Sequence, residues 1–271
     1  MLAGLMLFPL WTGVRSPMAQ LKSHSVFILQ ISFLQTVLLY ALFFIGINMT
    51  RGSSAAVVSG AAPLFTAVIA HLITRNEKLT PGKFLILLIG LLGISLISIS
   101  AHGEGGGGKK EILGLLFLSG SVCSSALSNV LISKKKLLGP HPLVLNAAQI
   151  FFGGTILFAA GICVEGVPEI PRVTKFYYLL LWLSFISAAA FTLWFRLLKT
   201  VPVASLNVWK FLLPVFGVIL SWIFTAGESP DILTGAGTAA VALSILLYHL
   251  IRKPCSNGIP PGCTSDLNSR N

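Results

Sequence analysis

Eight apolar stretches, each about 18–24 residues long, fill this chain almost end to end. Each is long enough to cross a hydrocarbon layer of ~30 Å as a helix. No other feature constrains the fold as strongly. In lipid, backbone N–H and C=O groups must be satisfied within the protein, which leaves helices or closed barrels. The length of the runs selects helices. The chain is therefore predicted to be an all-α, polytopic membrane helical bundle. The stretches are Val26–Asn48, Ser53–Ile73, Phe84–Ala101, Ile112–Ser133, Leu143–Val164, Phe176–Leu198, Val203–Ala226 and Ile232–Ile251. Breakers separate them: Pro81-Gly82, the run Gly105–Gly108, Gly139-Pro140-His141-Pro142 and Val167-Pro168-Glu169-Ile170-Pro171.

Composition agrees with a lipid-facing chain. Of 271 residues, 55% are hydrophobic and 10% charged, with a mean hydropathy of +0.87. The net charge of +11 alone would suit nucleic acid. Here the basic residues sit in loops between spans and form no stripe on a soluble face, so the bilayer is the expected partner and nucleic acid is not. Cys123 and Cys163 lie inside apolar stretches and are read as small core residues, while Cys255 and Cys263 lie in the tail. None has metal-ligand spacing. Met1–Trp11 is apolar, too short to span, and lacks the basic start of a signal peptide. Residues 252–271, rich in Pro, Gly, Ser and Asn, read as a disordered cytoplasmic tail.

The loops give an orientation. One side receives Arg15, Lys22, Arg75, Lys78, Lys83, the triplet Lys134–Lys136, Arg196, Lys199, Arg252, Lys253 and Arg270. The other receives Arg51, Lys109, Lys110, Arg172 and Lys175, with most of the acids. The basic-rich side is expected to be cytoplasmic, which places both ends of the eight-span unit there.

The chain also repeats itself. Moving position 62 onto 213 superposes Ala62-Pro63-Leu64-Phe65 on Leu213-Pro214-Val215-Phe216. In the same register Asn76-Glu77 falls on Gly227-Glu228, and Leu42, Phe44 and Thr74 fall on Leu193, Phe195 and Thr225. Glu77 is expected on the cytoplasmic side and Glu228 on the opposite one, so the two copies are expected to be inverted. Inverted repeats suit transporters, because two similar halves can rock about a site between them.

The segment "SSAAVVSGAAPLFTAVIAHLITRNEKLT…LLIGLLGISLI" resembles the EamA domain of the drug/metabolite transporter superfamily. "LNVWKFLLPVFGVILSWIFTAGESPDILTGAGTAAVALSILL" resembles its second copy. The resemblance implies ten spans built as two inverted repeats, with both termini cytoplasmic. It divides the chain into a first EamA-like repeat at 1–101, a Gly-rich connector at 102–111 and a second repeat at 112–251. "MLAGLMLFPLW" is similar to the later part of the family's second span, so the first span and part of the second are expected to be missing here. Asn76 stands where the family pattern has Gly before the glutamate.

Function has to be read from the polar groups in the apolar stretches. Lys210 is the leading candidate, because an ionisable residue in a span is costly. One reading has it meet an anionic group on a substrate. The other has it snorkel to the interface, about 10 Å away along the helix. Pro214 leaves the Lys210 carbonyl without its helical donor. The matching position in the first copy is Ser59, so such a site is asymmetric. Trp209, Asn207, Gln35, Gln149 and Asn146 are further candidate substrate contacts. Each amide (Gln30, Asn48 and Asn129 included) could instead join helices. Trp194 and Tyr40 could line a cavity, whereas Trp182 and Trp222 suit packing or an interfacial belt. His71 suits an interfacial role, and Glu77 and Glu228 read as loop acids.

No Asp or Glu lies within a stretch, so a carboxylate proton relay is not expected. Clustered acids for Mg²⁺ are absent from the sequence, Ser59 and His71 lie ~18 Å apart along a helix, and the Gly105–Gly108 run lacks phosphate-loop spacing. No enzyme activity, cofactor or metal is expected. The reading is a plasma-membrane transporter that moves a small metabolite, an amino acid or organic anion, by alternating access. Export is one direction left open, and the oligomeric state is open with a homodimer among the options. A truncated, non-transporting protein or partner subunit is the main alternative, ahead of an intramembrane enzyme.

Overall fold

The computed structural model describes residues 1–50, 52–74, 79–100, 109–135, 138–166, 173–213, 215–216, 219 and 232–251 (backbone alone at 52–54, 97–100, 233, 234 and 249). Among them every regular element is a helix. In chain order these are α1 (Leu2–Leu7), running into a 3₁₀ turn at Phe8–Gly13, then α2 (Pro17–Ser23) and α3 (Ser25–Ser32). A π segment (Phe33–Leu38) joins α3 to α4 (Leu39–Met49). There follow α5 (Gly52–Gly60), α6 (Ala62–Ile73), α7 (Pro81–Ser100), α8 (Lys109–Lys134), α9 (Pro142–Glu165) and α10 (Thr174–Thr200). The last are α11 (Val203–Val208), its 3₁₀ turn Trp209–Phe211, and α12 (Ile232–Ile251).

Among the described residues, five helices are long and apolar enough to cross a membrane: Ser25–Met49, Ala55–Ile73, Lys109–Lys134, Pro142–Glu165 and Thr174–Thr200. Pro81–Leu96 and Gly235–Tyr248 are shorter apolar helices. The expected span Val203–Ala226 begins as α11, and most of it after Leu213 lies outside the described residues. So do the loop acids Glu77 and Glu228, Pro214, Trp222, residues 102–108 of the connector, Cys255, Cys263 and the tail.

Local chemistry explains the interruptions. Pro63 has no N–H, so the Ser59 carbonyl loses its donor and the helix breaks at Ala61 between α5 and α6. The π segment has no such sequence marker. Its register change is visible in the Leu39 N–H, which reaches back five residues to the Leu34 carbonyl. The Ser124 hydroxyl donates to the same carbonyl at 2.7 Å and ties the π segment to α8.

Helices associate in lipid by packing and hydrogen bonding, since lipid tails are as apolar as leucine. The tightest approaches are at glycines. A Cβ on Gly93 of α7 would lie 2.7 Å from the Gly237 carbonyl of α12, so only glycine allows that crossing. Gly46 of α4 and Gly114 of α8 meet in the same way. One core gathers Ile28, Ile31, Val130, Leu145, Phe195 and Leu198 from α3, α8, α9 and α10. A second joins Leu87, Ile94, Phe211 and Val241 from α7, the 3₁₀ turn and α12. Outward faces carry large apolar side chains, among them Tyr178, Trp182 and Phe185 of α10. Trp182 stacks on Phe185 on that face. Cys163, read as a core residue, is exposed, because the second half of α9 has little packed against it; Cys123 is half-buried.

Candidate functional site

Two polar constellations lie inside the bundle, and they differ in how completely they are satisfied. The first is a closed chain of hydrogen bonds. The Thr36 hydroxyl donates to Gln149 Oε1 at 2.6 Å, and the Ser32 hydroxyl to the Gln149 carbonyl at 2.9 Å. Gln149 Nε2 donates to Asn146 Oδ1 at 3.3 Å. Asn146 Nδ2 donates to the Ala188 carbonyl at 3.0 Å and to the Thr192 hydroxyl at 2.7 Å. Helical spacing builds it: 32 with 36, 146 with 149 and 188 with 192 each share one helix face. The chain ties α3 and its π segment to α9, and α9 to α10. Asn146 and Gln149 are buried with every side-chain polar atom engaged. In this arrangement both act as links between helices.

The second constellation centres on α8. Trp194 of α10 donates its indole Nε1–H to Asn129 Oδ1 at 3.1 Å. The other side of that interaction is a cation: Lys210 Nζ stands 4.7 Å from the centroid of the Trp194 ring. Lys210 itself lies in the 3₁₀ turn that follows α11. Asn207, one turn earlier, is fully buried and donates Nδ2 to the Val203 carbonyl at 2.9 Å. Asn207 Oδ1, Asn129 Nδ2, Ser128 Oγ and Gln35 Oε1 are buried without a hydrogen-bond partner among the described residues. The π segment that carries Gln35, α11 that carries Asn207, and α10 that carries Trp194 all pack on α8. An orphaned buried polar atom costs about 1–3 kcal/mol, and these four carry that cost among the described residues.

The structure therefore divides the sequence candidates. Lys210, Asn207 and Gln35 carry open chemistry on elements that pack on α8 or beside it. Gln149 and Asn146 belong to the satisfied chain. Trp209 is half-exposed and turns outward. Of the remaining amides, Gln30 and Asn48 are exposed on their helices. Sequence reading passed over Ser32, Thr36, Thr192 and Ser128. For Ser32, Thr36 and Ser128 the available signal was their spacing, three or four residues from an amide or from another hydroxyl; Thr192 has no such neighbour.

One end of the bundle is held by a separate set of contacts. Lys199 donates to the Pro140 and Gly139 carbonyls at 2.6 and 3.3 Å. Gln20 of α2 accepts from the His141 N–H at 2.8 Å, and His141 Nδ1 caps α9 by accepting from the Leu143 N–H. Burial first, then the positive charges of Lys199 and Arg196, holds the His141 imidazole below its ordinary pKa. In the last turn of α6, His71 Nδ1 accepts from the N–H of Leu79, on the loop that follows, at 3.3 Å. Among the described residues no three His, Cys, Asp or Glu side chains gather as a metal site.

Known proteins place this architecture. The chain is 24% identical to the uncharacterized transporter YetK of Bacillus subtilis (strain 168) over 229 residues, which is 82% of this chain and 67% of that protein. It is 26% identical to the uncharacterized transporter YvbV of the same organism over 217 residues, 80% of this chain and 69% of that protein. A solved crystal structure of a protein with 17% sequence identity superposes with a TM-score of 0.69, covering 79% of this chain and 74% of that one, which shows the same fold. The EamA-like transporter family matches residues 1–99 and 112–250. With most of its length inside that family, the chain belongs to the EamA-like transporters and is a non-enzymatic, multi-pass membrane protein.

Proposed function

We propose that this transporter moves a small metabolite with an anionic group, an amino acid or an organic anion, across the plasma membrane. The observation that carries the reading is Lys210. Its ammonium sits in a turn inside an apolar segment, and among the described residues no carboxylate pairs with it. An uncompensated cation in lipid is costly, which favours a role for it. A substrate carboxylate supplies the missing charge, while Asn207 Oδ1 and Gln35 Oε1 accept N–H groups and Asn129 Nδ2 donates. Trp209, half-exposed beside Lys210, stands at the outer edge of the proposed site. Asn146 and Gln149 shape the site from behind through the chain they brace.

The proposed transport cycle is alternating access between two inverted repeats, 1–101 and 112–251, joined by 102–111 and followed by the cytoplasmic tail 252–271. Eight spans cross the bilayer with both ends of the unit inside the cell. The break at Pro63 supports this reading, since broken helices near the midplane are where such proteins bind cargo, and Pro214 is its register mate in the second copy.

The test is uptake into proteoliposomes of three labelled probes: leucine, succinate and leucinamide, which lacks a carboxylate. Lys210→Ala is expected to lose carboxylate uptake by about tenfold or more, because a charge-assisted hydrogen bond is worth about 1.5–3 kcal/mol. Leucinamide uptake is expected to change little. Equal treatment of all three probes by the parent and Lys210→Ala would remove the basis of the reading.

A further inference from the structure

We propose that Trp194, anchored by Asn129, is a positioning residue that holds the Lys210 ammonium inside the bundle where a substrate anion meets it. The inference rests on the reading of Lys210 given above and adds what keeps that cation in place.

A lysine so placed has two resting positions. Its four-carbon stem is flexible, and without a partner the head is drawn toward the aqueous interface. The chain has no Asp or Glu in any apolar stretch, so a carboxylate from the same span layer cannot hold it. The face of an indole ring carries negative potential and is the best of the aromatic faces for a cation. Lys210 Nζ is 4.7 Å from the Trp194 ring centroid, well within the range of that attraction.

The ring is fixed in turn. Its Nε1–H is given to Asn129 Oδ1 at 3.1 Å, and Asn129 is only 1% exposed, so water does not compete for the bond. Donating that hydrogen bond shifts electron density onto the ring and strengthens its pull on the cation. The backbone under Trp194 is firm as well, since its neighbour Phe195 is fully buried in the core of α3, α8 and α9. The path from α8 through Asn129 and Trp194 to Lys210 therefore sets where the charge rests. The ring compensates only part of the charge and forms no ion pair, so a substrate carboxylate can approach the ammonium from its open side.

The experiment uses the full chain in nanodiscs and in proteoliposomes. With ¹⁵N-indole-labelled tryptophan, the Trp194 signal is identified by its loss in Trp194→Phe. It is expected to move in both Lys210→Met and Asn129→Leu, while the signals of the other tryptophans stay. In uptake of leucine and succinate, Trp194→Leu is expected to raise KM about tenfold with kcat within about twofold, in line with a desolvated cation–π contact. Trp194→Phe keeps a ring face and should stay within about threefold of the parent, and leucinamide uptake should be unaffected in each. A Trp194 signal that ignores Lys210→Met overturns the proposal, whether or not Trp194→Leu folds. So does a loss in Trp194→Leu that falls on kcat and on all three probes alike, which is what damage to packing produces. If Lys210→Ala removes the carboxylate preference and Trp194→Leu keeps it, positioning by Trp194 fails while the substrate reading stands. If Lys210→Ala has no effect, the substrate reading fails first.

Discussion

Asn146 and Asn207 are the same residue type, equally buried, and they do different things. Asn146 uses both ends of its amide, whereas Asn207 Oδ1 has no partner among the described residues. Removing a linked amide should therefore cost stability. Asn146→Leu leaves Gln149 Nε2 without its acceptor, while the Thr192 hydroxyl keeps its bond to the Ala188 carbonyl, and about 1–3 kcal/mol of destabilisation is expected, read as a lower thermal midpoint in detergent. An unchanged midpoint would show that the chain of bonds is not structural. The sequence put Gln35, Asn146, Gln149 and Asn207 in one class because partners on other helices are invisible in a string of letters. Lys210 stood out at once, since one cation among apolar residues needs no partner to be noticed. Its contact with Trp194 was not legible, because residues 194 and 210 sit on different elements and only the turn between α10 and α11 brings them together. At the far end of the bundle, His141 makes a pH prediction. Its folded pKa lies below its unfolded one, so the unfolded chain takes up the proton more readily as pH falls through about 6.5. Stability is then full above that pH and declines on acidification. His141→Ser keeps a capping oxygen and should lose less between pH 7.5 and 5.5 than the parent. Matching losses in the two proteins would contradict a role for this imidazole.

Elements followed the hydropathy closely where runs were long. Ser25–Met49, Lys109–Lys134, Pro142–Glu165 and Thr174–Thr200 begin and end within a few residues of the stretches read from sequence. At Lys109, Pro142 and Glu165 those limits were legible because Pro or Gly clusters beside them disfavour helix. The stretch Ser53–Ile73 reads as one span in the sequence, and its break between α5 and α6 follows from Pro63. The π segment has no such origin, because Phe33–Leu38 holds neither Pro nor Gly and its register is set by Ser124 and Gln149 on neighbouring helices. Close helix crossings depend on glycines that meet across two helices, a pairing a sequence does not show. Gly93 proved to face Gly237 across α7 and α12. Gly93→Val is expected to force those helices apart, costing about 1–3 kcal/mol by overpacking, with a lower folded yield after extraction. Gly13 has nothing within reach of an added Cβ, so Gly13→Ala should leave both quantities unchanged and serves as the control. Equal behaviour of the two variants would show that the crossing is looser than its geometry indicates.

At the scale of the whole molecule, membership of the EamA-like transporters and the run of apolar helices make this a multi-pass membrane transporter. Within that frame its buried polar groups fall into two kinds. A satisfied chain through Thr36, Gln149, Asn146 and Thr192 braces three helices, while Asn129 Nδ2 and Asn207 Oδ1 have no hydrogen-bond partner among the described residues, and the proposed cargo contact is built on these and Lys210. Membrane interiors rarely tolerate such open groups without use for them. The most direct test measures thermal midpoint and carboxylate-probe uptake side by side for Gln149→Leu and Lys210→Ala in the same lipid. The expected result is a split: Gln149→Leu lowers the midpoint, while Lys210→Ala keeps the midpoint and loses leucine and succinate uptake. If both variants lose stability and transport in proportion, the buried polar groups form one structural network, and Lys210 is not the contact that selects the cargo.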